Sequence, residues 1–172
     1  MQTNIVFTLT GTDRVGIVEE VTRLFFDLGG NVETSRMVRL GGEFDMLMLV
    51  ALPAEKLAGL QTHLQSLVVQ GFKVTTQQTQ PVRQPAGMPY HIQVIGADHE
   101  GIIHEVSQYL AEHGINIEAL DTETSAAATS GTPLFSMKAL VLVPPALQTQ
   151  DWQAALDGIG QRLNVDVNVS SA

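Results

Sequence analysis

The 172 residues contain no cysteine, which excludes disulfides and thiolate metal ligands. Long apolar runs are missing as well. The longest, such as Met46 to Leu52, fall far short of the roughly 20 residues that span a bilayer, so no membrane partner is expected. The opening Met1-Gln2-Thr3-Asn4 leads straight into a strand pattern, without the basic, apolar and small-residue succession of a secretory leader. A soluble cytoplasmic protein is the expectation.

Basic residues are scarce: 9 Lys and Arg stand against 18 Asp and Glu, for a formal net charge of −9. From residue 90 onward, Lys138 and Arg162 face ten carboxylates. Nucleic-acid backbones are bound by Lys and Arg displacing counterions, so a direct nucleic-acid partner is not expected. In the first half Arg14, Arg23, Arg36 and Arg39 are interspersed with Glu19, Glu20, Asp27 and Glu33. Neither half offers a helix-turn-helix signal or a basic helix. An acidic second half is suited instead to steering toward a basic protein surface.

Catalytic signatures are also lacking. Gly11 to Gly16 has phosphate-loop spacing, but Ile17-Val18 stands where Lys-Ser/Thr is required. His99-Glu100-Gly101-Ile102-Ile103-His104 misses the zinc motif by one residue, and five helical steps leave the imidazoles about 140° apart. His63, His91 and His113 share no constellation with them. No G-x-S-x-G elbow presents a nucleophile. No catalytic residue, metal or cofactor is expected.

What is present is a repeat. Leu9-Thr10-Gly11-Thr12-Asp13-Arg14-Val15-Gly16-Ile17-Val18 returns as Val94-Ile95-Gly96-Ala97-Asp98-His99-Glu100-Gly101-Ile102-Ile103, at an offset of 85. The offset persists through Glu20/Glu105, Gly29/Gly114, Asn31/Asn116 and Glu33/Glu118, then becomes 91 at Phe44/Phe135, Met46/Met137 and Pro53/Pro144. The second copy therefore has six extra residues between its second and third strands, in the small-residue stretch Thr124 to Pro133. Residues 1–80 form the first domain and 90–172 the second. Between them, 81–89 holds three of the seven prolines and reads as a semi-rigid linker.

In the first copy Asn4 to Thr10 alternates as a strand, and Asp13 is a natural helix N-cap. Ile17/Val18, Val21, Leu24/Phe25 and Leu28 follow the helical period until Gly29-Gly30. Val32 to Leu40 and Phe44 to Leu52 flank the hairpin glycines Gly41-Gly42. Leu57, Leu60, Leu64 and Leu67 stripe a second helix, and Phe72, Val74 and Thr76 make a last strand. The second copy repeats this, with Trp152, Leu156, Ile159 and Leu163 on its second helix. The architecture is α+β: two tandem βαββαβ units, each a four-stranded antiparallel sheet with two helices on one face. Leu47, Leu49 and Ala51 alternate with Met46, Met48 and Val50, so the uncovered face should pack on the other domain or a second subunit.

The box Asp13-Arg14-Val15-Gly16-Ile17-Val18, the turn Asn31-Val32-Glu33 and their second copies resemble the ACT domain, a ferredoxin-like module that commonly binds small molecules, often amino acids. Two such domains with no catalytic part are similar to the bacterial glycine cleavage repressors. The resemblance implies a regulator that senses an amino acid, glycine included, and modulates transcription through a protein partner such as a DNA-binding regulator.

The residues suit that task. A helix start offers unpaired amides to a ligand carboxylate, glycines permit close approach, and an Asn amide both donates and accepts. The candidate ligand-binding residues are Gly11, Thr12, Asp13, Arg14, Val15, Gly16, Asn31 and Val32 in the first copy. In the second they are Gly96, Asp98, Gly101 and Asn116. The bland alternative is that Asp13 caps the helix, Gly16 serves packing and Asn31 stabilises a turn. Two further readings stay open at this point, a ligand-free interaction module and a small enzyme of ferredoxin-like fold.

Overall fold

A computed structural model of the protein describes residues 1–80, 86–126 and 131–172. The chain divides into two units between residues 82 and 83, within the expected linker. Residues 81–85 of that linker and 127–130 of the expected excursion in the second copy lie outside the described residues.

The first unit runs β1 (Gln2–Thr12), α1 (Ile17–Asp27), β2 (Asn31–Leu40), β3 (Glu43–Pro53), a 3-10 turn (Ala54–Gly59), α2 (Leu60–Val69) and β4 (Lys73–Thr79). The second runs β5 (Met88–Ala97), α3 (Ile102–Glu112), β6 (Asn116–Ala126), β7 (Pro133–Val143), α4 (Trp152–Leu163) and β8 (Val165–Ser171). Met88 and Pro89 thus belong to the opening strand of the second unit. The antiparallel sheets are ordered β2-β3-β1-β4 and β6-β7-β5-β8. Each unit is the expected βαββαβ fold, with its helices packed on one sheet face.

Alternation selects that face. Ile5, Phe7 and Leu9 of β1 and Met46, Met48, Val50 and Leu52 of β3 point to the helices, where Val21, Phe25, Leu60, Leu64 and Leu67 meet them. Burying such a side chain contributes roughly 1.5–3 kcal/mol, so this interlock supplies most of the driving force for the unit. Phe7 and Phe25 add an edge-to-face contact with ring centres 5.1 Å apart. In the second unit Tyr90 and Trp152 stack edge-to-face at 5.3 Å, and the Tyr109 hydroxyl donates to the Trp152 carbonyl. Leu57, expected on the second helix, falls in the 3-10 turn and is partly buried there.

Local chemistry explains the turns. Gly41 and Gly42 have φ of 59° and 98°, the two left-handed residues of a tight hairpin. Helix α1 ends where the amides of Gly29 and Gly30 donate to the carbonyls of Phe26 and Phe25. Strand β2 carries a bulge between Val32 and Thr34, and β6 carries the same bulge between Ile117 and Ala119. The extra residue is the glutamate of the repeated Asn-x-Glu turn, Glu33 or Glu118. Ladder register is also kept: Asn31 pairs with Ala51, and Asn116 with Leu142, the equivalent residue.

One expectation about helix capping fails. Asp13 does not cap α1. The cap is Gly16, left-handed at φ 91°, with no side-chain hydrogen bond to the first turn. Asp13 is drawn elsewhere: its amide donates to the Gly42 carbonyl, and its carboxylate pairs with Arg39 on β2 at 3.2 Å. Helix α3 starts the same way at Gly101, φ 96°.

Candidate functional site

Two separate depressions hold five of the first copy's predicted residues, while Gly11, Val15 and Gly16 line neither. One, of about 400 Å³, is lined by Thr12, Asp13, Arg14 and, from the end of α2, Gln70, Gly71 and Phe72. The other, of about 420 Å³, is lined by Asn31, Val32 and Gly30 with Glu19, Thr22, Arg23 and Phe26 of α1. Helix α1 joins them. Its 11 residues make it about 16 Å long, so Asp13–Gly16 and Asn31 sit at its opposite ends. The ladder agrees, since Asn31 lies level with Ala51 and Asn4, whereas Thr12 lies level with Glu43. A single domain does not bring the two halves of the predicted site together.

The loop end is built by Arg14. Its guanidinium bonds the Glu20 carboxylate and donates to Gln70 Oε1 at 2.6 Å, and it lies over the Phe72 ring, 5.4 Å from the centroid. Gln70 Nε2 closes the triangle by donating to Glu20 Oε1 at 2.8 Å. Arg14 and then Gln70 hold the Glu20 carboxyl below its ordinary titration range. Gln70 carries no motif, and its part in this cluster comes from the distant end of α2 meeting the loop. The close approach that Gly11 allows is taken by Phe72: a Cβ there would stand 2.4 Å from the ring. Gly96 is filled likewise by Val165.

Past Arg14 the chain is bare. Val15 is fully exposed, a Cβ on Gly16 would meet nothing within 4 Å, and no side chain among the described residues caps the amides that open α1. These amides carry the positive end of the helix dipole. Because Asp13 is held by Arg39, its carboxylate does not compete for them. At the other end the Asn31 side chain is exposed and bonds to no group among the described residues.

In the second copy Asp98, Gly101, His99, Glu100 and His104 share a depression of about 420 Å³ with Thr122 and Thr124 of β6. His99 replaces Arg14 in sequence, while the ion pair that Arg14 makes with Glu20 passes to Arg162, which bonds the equivalent Glu105 at 2.9 Å. The His99 Nε2 lies 2.7 Å from the Leu163 carbonyl at the end of α4, and its Nδ1 lies 3.0 Å from the Glu100 carbonyl. Those carbonyls, Glu100 first, raise the imidazole's titration, and nearby Asp98 adds to the effect. Asn116, unlike Asn31, is engaged, its amide donating to Glu118. Among the described residues, no three His, Asp or Glu side chains are grouped to hold a metal ion. No helix among them is long and apolar enough to cross a membrane.

Comparison with known proteins follows the same lines. The ACT domain family profile matches residues 3–76. The glycine cleavage system transcriptional repressor of Escherichia coli (strain K12) is 27% identical, with 96% of this chain and 88% of the repressor aligned. A crystal structure of an unknown protein from Galdieria sulphuraria is 35% identical with a TM-score of 0.88, covering 100% of this chain and 99% of that one. A solved structure assigned to the glycine cleavage system transcriptional repressor is 25% identical with a TM-score of 0.73, covering 100% and 98%. Residues 3–76 are thus an ACT domain, and the whole chain, two βαββαβ units in tandem, is distantly related over nearly its full length to the glycine cleavage system transcriptional repressor.

Proposed function

We propose that this protein is a non-enzymatic cytoplasmic regulator that senses an amino acid and modulates transcription through a protein partner. The observation that carries the reading is the bare helix start at Gly16, where uncapped amides face an open loop and Asp13 is tied back to Arg39. A ligand carboxylate is suited to those amides. The name of the repressor relative makes glycine the first ligand to try. Since Asn31 lies at the far end of α1, a ligand that touches both requires the Asn31 end of a second domain, supplied by a partner copy. Regulation without DNA contact fits the charge: ten carboxylates against Lys138 and Arg162 in the second domain favour a basic protein surface.

Calorimetry with glycine and the other amino acids tests the site. Val15→Glu places a carboxylate beside the amides at a fully exposed position and should weaken binding with the fold intact. Asn31→Ala should weaken it too, and only in the oligomer. Absence of heat with every amino acid would favour a ligand-free interaction module. For the partner, a low-salt gel shift with the purified protein decides: tight, salt-sensitive DNA binding would refute the protein-mediated reading.

A further inference from the structure

The sheet face of the first unit opposite α1 and α2 carries a groove of its own. Val6 of β1 and Leu47 and Leu49 of β3 line an open depression of about 530 Å³, rimmed by Asn4 of β1 and by Glu33, Thr34 and Arg36 of β2. Leu47 is 48% exposed. Polar side chains around the groove pair with one another: Thr8 with Thr75, Thr10 with Asp45, and Asn4 with Glu33 at 3.4 Å. Arg36 differs. Its guanidinium donates to the Ser35 carbonyl at 2.9 Å and pairs with no carboxylate among the described residues.

We propose that this groove binds a small apolar carboxylate, with its hydrocarbon on Val6, Leu47 and Leu49 and its carboxylate on Arg36. The planar fork of a guanidinium matches a carboxylate through two parallel hydrogen bonds. The groove's volume lies within the roughly 300–1,000 Å³ of small-ligand sites.

The internal repeat supplies an independent argument. At the offsets of 85 and 91, Val6 corresponds to His91, Leu47 to Lys138 and Arg36 to Asp121. Asp121 and Lys138 face each other across β6 and β7, as Arg36 and Leu47 do across β2 and β3. The second copy therefore builds the same fold with a carboxylate and an ammonium on facing rungs at this place, where the first copy sets a guanidinium opposite a leucine. Nothing in the fold requires the first copy to set an unpaired cation beside an apolar floor. The groove is lined by none of Asp13 to Gly16 or Asn31, so it stands or falls apart from the amino-acid reading.

The test is an NMR titration of the full chain with 4-methylpentanoate and with its neutral carboxamide. The acid should give saturable amide shifts at residues 34–36 and 47–49, with an affinity at least about tenfold above that of the carboxamide. Arg36→Gln should erase that preference, and Leu47→Asn, which removes apolar floor without adding charge, should weaken both probes. Both positions are exposed, and the remaining spectrum reports that the fold is kept. Absence of saturable shifts at these residues, equal affinity for the two probes, or unchanged preference in Arg36→Gln would overturn the proposal.

Discussion

Replacing Gly16 with alanine tests how α1 begins. Gly16 sits at φ 91° and ψ −3°, outside the helix, and an added Cβ would touch nothing within 4 Å. The whole effect therefore lies in the backbone. Forcing an L-residue into left-handed geometry costs roughly 1–2 kcal/mol. Alanine also restricts the unfolded chain, which returns about 0.4–1 kcal/mol. The net expectation is a loss of roughly 1 kcal/mol, or about 4–8 °C in the melting of a unit this size. Gly16→Asn should cost less, because asparagine visits this region more readily. The sign is what discriminates. Were Asp13 the cap, Gly16 would lie in the first helical turn, and alanine there would stabilise by up to about 1 kcal/mol. Urea unfolding followed by circular dichroism, on Gly16→Ala and on the equivalent Gly101→Ala, gives the answer. A neutral or stabilising result would refute the left-handed start.

Helix α4 offers an internal control. A Cβ on Gly158 would meet nothing, so Gly158→Ala should stabilise by roughly 0.5–1 kcal/mol. Gly160→Ala, two residues on, should destabilise in the same denaturation assay, since its Cβ would lie 2.8 Å from the Val165 carbonyl oxygen and from a Val167 methyl. His99 should confer a pH dependence on the second unit. Its pKa is raised above the ordinary 6.5, so its contribution is full below that value and fades as pH rises through the raised folded value. Proton NMR of the imidazole should show the upward shift. His99→Arg, the side chain of the first copy, should remove the pH dependence, and an unshifted titration would contradict the two-carbonyl geometry.

Most of the fold was legible because its causes are local or periodic. The Ile5/Phe7/Leu9 alternation, the Leu60/Leu64/Leu67 stripe and the Gly41-Gly42 hairpin each state their geometry within a few residues, and the repeat states it twice. The candidate site was less legible because long-range partners decide it. Asp13 has the chemistry of an N-cap, yet Arg39, twenty-six positions away, competes for its carboxylate and wins. Gln70 reaches Arg14 from the end of another helix. The separation of Asp13 from Asn31 could have been foreseen, since an 11-residue helix must put its two ends about 16 Å apart. The bulges at Glu33 and Glu118 had a signal too, the repeated Asn-x-Glu, but its spacing does not distinguish a turn from a bulge.

The preserved register between β6 and β7 makes the hairpin tip a natural port for added sequence. The two strands stay paired out to Ala126 and Pro133, one pair beyond the end of the shorter hairpin at Leu40 and Glu43. Six extra residues have been absorbed there without shifting a single rung below. Loop closure explains the tolerance, because each doubling of loop length costs only about 0.6 kcal/mol. In the first copy the corresponding tip lies between Gly41 and Gly42, and a fluorescent tag, a crosslinker or an affinity peptide grafted between them should spare the groove beside Arg36 and, provided the Gly42 carbonyl that accepts from the Asp13 amide is kept, the helix start at Gly16.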